Sequence, residues 1–281
     1  MIDYLALGHL TIDRLPAGRS PGGSVAYASL TAAKLGLAAG IVTAAGEELD
    51  WFAWLPGVGI VRRPVPATTS FENLYRDGCR VQRLLAVAEG VPAGAVPRGW
   101  TGSPIVHLAP VVHEIEGNLP ELFPGSLIGL TPQGLLRRWD SDGLVRHGPW
   151  LGDDRLLDAS DVAIFSEEDL SGDPEFLSRC VSRVPITLLT RGPGGATLFV
   201  RGDPREFPAF PVQEADPTGA GDVFAAAFLI EYHRTRDPNH STAFACCAAS
   251  YAVERPGLEG VPDRAMVEGR LRQYRQAATG R

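Results

Sequence analysis

Lysine is almost missing from this chain: Lys34 is the single one among 26 basic residues, and the other 25 are arginines. A phosphate-binding loop of the G-x-x-x-x-G-K-[ST] type is excluded, because Leu35 follows Lys34 and the glycines are absent; the strand lysine of protein kinases has no counterpart either. Any phosphate chemistry must then use backbone amides and guanidinium groups. Cysteine is scarce as well, four residues at positions 79, 180, 246 and 247, with no C-x-x-C spacing. Neither a zinc cage nor a disulfide framework is built from that pattern, and buried thiols are the simpler reading. An excess of positive charge is also lacking: 33 acidic side chains give a formal charge of -7, which leaves no basic stripe for a nucleic acid. The longest uncharged apolar run, Leu35 to Gly46, is too short to cross a bilayer, and Asp3 stands where a secretory leader carries a basic residue. A cytoplasmic protein without membrane or nucleic-acid partners is expected.

What is present is a 44% hydrophobic chain in which short apolar runs alternate with helical stretches. That alternation predicts an α/β fold with a mostly parallel central sheet and helices on both faces. Candidate strands are Tyr4 to Leu7, Gly40 to Thr43, Ile105 to Leu108, Ser126 to Leu130, Val162 to Phe165 and Ile186 to Thr190. Candidate helices are Ser24 to Leu35, Ala220 to His233, Ser241 to Glu254 and Asp263 to Gln276. No linker or repeat divides the chain, so residues 1–281 read as one domain. Within it, Thr68 to Tyr75 and Arg80 to Val87 alternate in strand fashion around Asp77-Gly78, a β-hairpin signal. A two-stranded ribbon is marginal alone. It is expected to be a lid, inserted over residues 58–90, that covers a ligand or pairs with the lid of a second subunit in a homodimer.

The segment carrying chemistry is Asp216-Pro217-Thr218-Gly219-Ala220-Gly221-Asp222, which runs into the apolar helix. Its glycines allow a tight turn and close approach of a ligand, and the first amides of the helix form an anion hole. Gly219, Ala220 and Gly221 are the expected donors to a phosphoryl group in transit. Asp222 at the mouth is placed to take a proton from an attacking hydroxyl.

This heptad resembles the signature of the ribokinase-like (PfkB) carbohydrate kinases, D-[T/P]-x-G-A-G-D before a small-residue helix. The resemblance implies Asp222 as catalytic base and the amides of Gly219, Ala220 and Gly221 as the anion hole. Other segments follow in the family's order. Gly8 to Asp13 is similar to a first strand entering a loop whose aspartate binds substrate hydroxyls. Gly22-Gly23 resembles the start of G-G-x-x-x-N, although Tyr27 stands where the amide would be, so substrate recognition must differ there. Thr190-Arg191-Gly192-Pro193-Gly194-Gly195 resembles the T-x-G-x-x-G turn beside ATP phosphates, and Arg191 is a candidate for neutralising them. Ser166-Glu167-Glu168-Asp169 is similar to N-x-x-E, which implies Glu168 or Asp169 near a magnesium ion. Ala248 to Gly257 resembles the lining of the adenine pocket.

The implied activity is transfer of the γ-phosphoryl group of ATP, with Mg2+, to a hydroxyl of a sugar or cyclitol, with a lean toward inositol-like acceptors. The implied substrate contacts are Asp13, Gly22, Gly23, Tyr27, Phe71, Asn73 and Arg80; donor contacts are Thr190, Gly192, Gly195, Asp216 and Thr218. A nucleoside kinase and a non-catalytic nucleotide- or sugar-binding regulator are the alternatives. A dinucleotide oxidoreductase is excluded by the absence of G-x-G-x-x-G after the first strand.

Overall fold

The computed structural model describes residues 1–15, 18–48, 50–76 and 79–279. In chain order the elements are β1 Tyr4–Leu7, β2 Thr11–Leu15, β3 Gly18–Gly22, α1 Ser24–Lys34, β4 Ala39–Ala45, α2 Trp51–Trp54, β5 Gly59–Pro64, β6 Ser70–Arg76 and β7 Cys79–Ala86. There follow β8 Ile105–Leu108, β9 Leu127–Leu130, β10 Arg137–Trp139, β11 Val145–His147, α3 Asp154–Asp158, β12 Val162–Ser166, α4 Phe176–Arg183 and β13 Ile186–Thr190. The chain then forms β14 Ala196–Val200, β15 Asp203–Phe207, α5 Ala220–Thr235, α6 Pro238–Ala252 and α7 Arg264–Thr279. Nine strands make the main sheet in the order β15-β14-β13-β12-β9-β8-β1-β4-β5. The expected α/β architecture is present, with every strand from β13 to β5 joined in parallel and an antiparallel hairpin, β14-β15, at one edge.

The central strands are buried on both sides, so their apolar side chains alternate between two cores. Tyr4 and Ala6 point into the core shared with α1, α5, α6 and α7, while Leu5 and Leu7 point into the core shared with α3 and α4. Contact between the layers is close: a Cβ on Gly129 of β9 would lie 2.4 Å from Leu229 Cδ1 of α5. Local signals explain the helix boundaries. The Asp237 carboxylate accepts the amides of Asn239 and His240 with Pro238 in the first turn of α6, and α5 stops at Arg236 in left-handed geometry.

The lid is built differently from the expected insertion. Gly59–Pro64, placed in it by the sequence, is instead the edge strand of the main sheet, paired with β4. Residues 11–22 replace it, and a four-stranded sheet forms in the order β3-β2-β6-β7. Asp13 therefore lies on a strand, paired with Ser20 and Phe71, rather than in a loop. Gly18, Pro21 and Gly22 give β3 the composition of a turn, and pairing with β2 overrides that preference. The expected turn at Asp77-Gly78 lies outside the described residues. Among the described residues no helix is long and apolar enough to cross a membrane.

The three long C-terminal helices are joined by a buried ion cluster. Glu231 of α5, 1% exposed, meets Arg234, His240 of α6 at 2.7 Å and Arg264 of α7 at 3.2 Å. Burial alone raises a carboxyl pKa, but hydrogen bonds from these three groups outweigh it and hold Glu231 at about 2. Its contribution to stability is present above the ordinary value of 4.5 and is lost as pH falls toward 2. Glu231→Gln is expected to lower stability at neutral pH by about 3 kcal/mol, because the cations lose their counter-charge. Urea denaturation of both proteins checks this, and the difference should shrink between pH 4.5 and 2.

Candidate active site

Parallel strands deliver their following loops to one edge of the sheet, and two glycine-capped helix N-termini lie side by side there. Gly23 caps α1 at φ 92° and Gly219 caps α5 at φ 79°, both in the region that favours glycine. Each is also a point of close approach. A Cβ on Gly23 would lie 2.4 Å from the His9 carbonyl oxygen, and one on Gly219 would lie 2.2 Å from the ring of Tyr27. Tyr27 is buried in the first turn of α1, so its ring forms the wall against which the α5 turn is folded.

Asp216 shapes the approach to that turn. One carboxylate oxygen accepts the Thr218 amide at 2.9 Å and the other accepts the Gly257 amide at 3.2 Å. Asp216 and Thr218, expected at the donor, are thus engaged with each other, and the carboxylate braces the loop. The anion hole needs a similar correction. The Ala220 amide donates to the Pro217 carbonyl at 3.2 Å, which closes the turn. Among the described residues no acceptor meets the amides of Gly219 and Gly221, so two of the three expected donors have no partner in the protein. Asp222 follows in the first turn of α5, half-buried. Burial pushes the Tyr4 phenol well above its ordinary value, and the negative charge of Asp222 adds to it. Tyr4 in turn bonds His107 at 2.6 Å, and burial lowers that imidazole to about 3, so it is neutral.

On the acceptor side, the Asp13 carboxylate lies over Gly22: a Cβ there would come 2.7 Å from Asp13 Oδ2. Bare glycine backbone is what allows this. Phe71, expected to touch substrate, is buried with Leu84, Val111 and Val112, and the Arg137 guanidinium faces its ring at 5.9 Å. It anchors the lid. The Asn73 side-chain oxygen accepts from Gln82 across the β6-β7 pair at 3.1 Å. The Arg80 side chain lies outside what is described.

Two buried residues that sequence reasoning missed hold the acceptor side together. The Glu114 carboxylate accepts the amides of His9, Val111 and Val112, each at 2.9 Å, and so ties the loop after β8 to the loop after β1. His9 meets Thr69 Oγ1 at 2.8 Å and the Glu89 carbonyl at 2.8 Å, on the segments where the lid strands β6 and β7 leave the main body. A carbonyl only accepts, so Nε2 carries the proton. A lone His or Glu beside a strand gives no sign of such a role in sequence.

On the donor side, the turn from Thr190 to Gly195 closes on itself: the Arg191 amide donates to the Gly195 carbonyl and the Gly195 amide to the Gly192 carbonyl. Thr190 Oγ1 reaches back to the Phe165 carbonyl. Gly192 at φ 50° and Gly195 at φ 86° make this geometry possible. Arg191 differs from the expectation. Its guanidinium is bonded to Glu206 and Thr197 on the β14-β15 hairpin, where a carboxylate already neutralises it. Asp169 is a second correction. It is 2% exposed, its Oδ2 accepts from the amide and the hydroxyl of Ser166 at 2.9 Å, and its Oδ1 faces His147 at 3.9 Å. Glu168 is exposed beside it. Among the described residues no three His, Cys, Asp or Glu side chains converge on a metal position.

Residues 158–264, which include the Gly219–Asp222 turn, match the pfkB family carbohydrate kinase profile. The segment around this turn is thus similar to the pfkB carbohydrate kinases. It is 27% identical over 259 residues to a cytidine kinase of Thermococcus kodakarensis, covering 84% of this chain and 90% of that protein. A pyrophosphate-dependent kinase of the ribokinase family, solved with a pyrophosphate analogue and myo-inositol, superposes with a TM-score of 0.79 at 22% identity, over 95% of this chain and 99% of that one. Ribokinase of Arabidopsis thaliana, solved with ribose and ATP, superposes at 0.75 with 22% identity, over 96% and 98% of the two chains.

The contact between Gly219 and Tyr27 is open to a direct test. Gly219→Ala is expected to cost roughly 1–3 kcal/mol through the strained φ and the clash. Adding Tyr27→Ala relieves the clash, so a double-mutant cycle read by urea denaturation should give a favourable coupling of about 0.5–3 kcal/mol. Strict additivity would show that the two residues do not touch.

Proposed function

We propose that the chain is a kinase that transfers a terminal phosphoryl group from a Mg2+-bound polyphosphate donor, ATP foremost, to a hydroxyl of a small polyhydroxylated acceptor. One observation carries this reading. At the N-terminus of α5 the amides of Gly219 and Gly221 have no acceptor among the described residues, and Asp222 stands in the same helical turn. Two N–H groups backed by the helix field favour the charge on a phosphoryl group in flight. Asp222 takes the proton of the acceptor hydroxyl as its oxygen attacks phosphorus. Magnesium, when bound, neutralises charge on the donor phosphates, and Glu168 is the side chain that would hold it through water.

The acceptor lies between Asp13, the Gly22-Gly23 backbone and the lid in this reading. A carboxylate accepts two hydroxyl protons at once, which suits a sugar or a cyclitol. The cytidine kinase likeness over most of the chain favours a second acceptor class, the ribose of a nucleoside. Exposed Leu15, Leu85 and Val87 on the lid strands and their flank support a further element of the proposal, the packing of two lids in a homodimer. A cytoplasmic location completes it.

The test is a panel of sugars, cyclitols and nucleosides offered with ATP and Mg2+, with the phosphorylated acceptor identified by mass and NMR. Asp222→Asn is expected to lower kcat by about 100- to 10,000-fold while leaving donor affinity in place. An asparagine variant as fast as the parent would remove Asp222 from the chemistry. Asp13→Ala is expected to act chiefly on the acceptor, raising its KM with little change in the KM of the donor. An equal rise in both constants would place Asp13 outside the acceptor subsite.

A further inference from the structure

Both ends of the β6-β7 ribbon meet on one buried ring. Thr69, the residue before β6, and Ala88 and Glu89, just after β7, converge on His9, which follows β1 and has no exposed surface. The Ala88 amide donates to Thr69 Oγ1 at 2.9 Å, the Thr69 hydroxyl donates to His9 Nδ1 at 2.8 Å, and His9 Nε2–H donates to the Glu89 carbonyl at 2.8 Å. Each donor in this circuit is used once, and the circuit starts and ends on adjacent residues. It closes only with a neutral ring protonated at Nε2, because the other tautomer turns a lone pair toward the Glu89 carbonyl.

The main chain around His9 makes the other half of the junction. The His9 amide donates to Glu114 at 2.9 Å, its carbonyl oxygen would lie 2.4 Å from a Cβ on Gly23, and the next amide, that of Leu10, donates to Thr43 Oγ1 of β4 at 2.9 Å. The Thr69 carbonyl accepts the Ile12 amide at 3.0 Å, one residue before Asp13. The imidazole is thus placed between the root of the lid and the backbone that carries Asp13 and Gly22-Gly23. Arg63 of β5 steadies the exit strand as well, pairing with the Glu89 carboxylate at 2.5 Å and donating to the Gly90 carbonyl at 3.1 Å. The donor side has separate support: the turn from Thr190 to Gly195 is closed by its own amides, with Arg191 bonded to the β14-β15 hairpin. Removing one member of the circuit leaves a buried donor or acceptor unpaired, and only a shift of the lid root relieves that.

We propose that His9 is a positioning residue for the acceptor. Its ring fixes where the lid strands leave the body and, through Gly23 and Ile12, where Asp13 stands, so that breaking the circuit weakens acceptor binding and leaves the phosphoryl donor unaffected. The proposal deepens the kinase reading above and rests on it.

Thr69→Val and Thr69→Ser test it, assayed with whichever sugar, cyclitol or nucleoside of the panel is turned over. Thr69→Val keeps the shape and removes the hydroxyl; it is expected to raise the acceptor KM about tenfold, with kcat and the donor KM within about threefold of the parent. Thr69→Ser keeps the hydroxyl and is expected to restore the parental acceptor KM. His9→Ala is expected to show the same split, and if it does not fold the valine variant decides. An unchanged acceptor KM in folded Thr69→Val, an equal rise in both KM values or a loss confined to kcat overturns the proposal. Hydrogen exchange followed by mass spectrometry needs no turnover. In Thr69→Val the peptides of β6 and β7 are expected to exchange about tenfold faster, with those of β8 and β9 at the parental rate. Uniform acceleration, or none, overturns the proposal. If the parent phosphorylates no acceptor while this exchange pattern holds, the kinase reading falls and the role of His9 at the lid root stands.

Discussion

The candidate site depends on a steric constraint, the contact between the Tyr27 ring and the Cα of Gly219. With any side chain at position 219 the turn would have to move away from α1, and with a smaller residue at 27 the turn would lose its wall. The contact brings the N-termini of two helices together, each capped by glycine at positive φ. Their fields then act on the same region of the sheet edge. From this follow the outward amides of Gly219 and Gly221 and the place of Asp222 one step further into α5. Tyr27 thus has a part to play although it departs from the resembled pattern: an aromatic ring walls the α5 turn where a side-chain amide was expected.

Around that contact, many polar residues act as braces. Asp216, Asp169, Glu114 and Arg191 each bind the protein's own groups, and in the first three cases these are chiefly backbone amides. A carboxylate with its lone pairs committed to N–H groups fixes a loop without leaving a charge uncompensated in the interior. Loops at the edge of a parallel sheet have no ladder of their own, so they need such partners to keep one geometry. The result is a site in which few groups face the ligand and many hold those few in position.

The last helix links this arrangement to the donor side. Arg264, in its first turn, reaches the buried Glu231 of α5, and Arg270 and Tyr274, further along, reach α6 and the loop before α5. The same helix that closes the C-terminal core therefore also packs on the loop before α5. The Glu231 cluster ties α7 to α5 and α6.

The parallel sheet, its two cores and the helix that carries Asp222 were legible in the sequence, since apolar period and glycine spacing are local properties. The heptad from Asp216 to Asp222 likewise announced a tight glycine turn into a helix, because such a turn is made by consecutive residues. Less legible was the lid: β3 has the composition of a turn, and Gly59–Pro64 was claimed by the lid although it pairs with β4. Strand partners come from remote parts of the chain, and nothing in a single strand names its neighbour. The same holds for the roles of single polar residues. Asp13 over Gly22, Glu114 on the His9 amide, Arg191 on Glu206 and Arg270 on Tyr251 were all decided by tertiary structure. Whether a charged side chain meets a ligand or a backbone amide depends on which groups the fold brings within hydrogen-bond reach, and that proximity is not a property of the residue or of its neighbours in sequence.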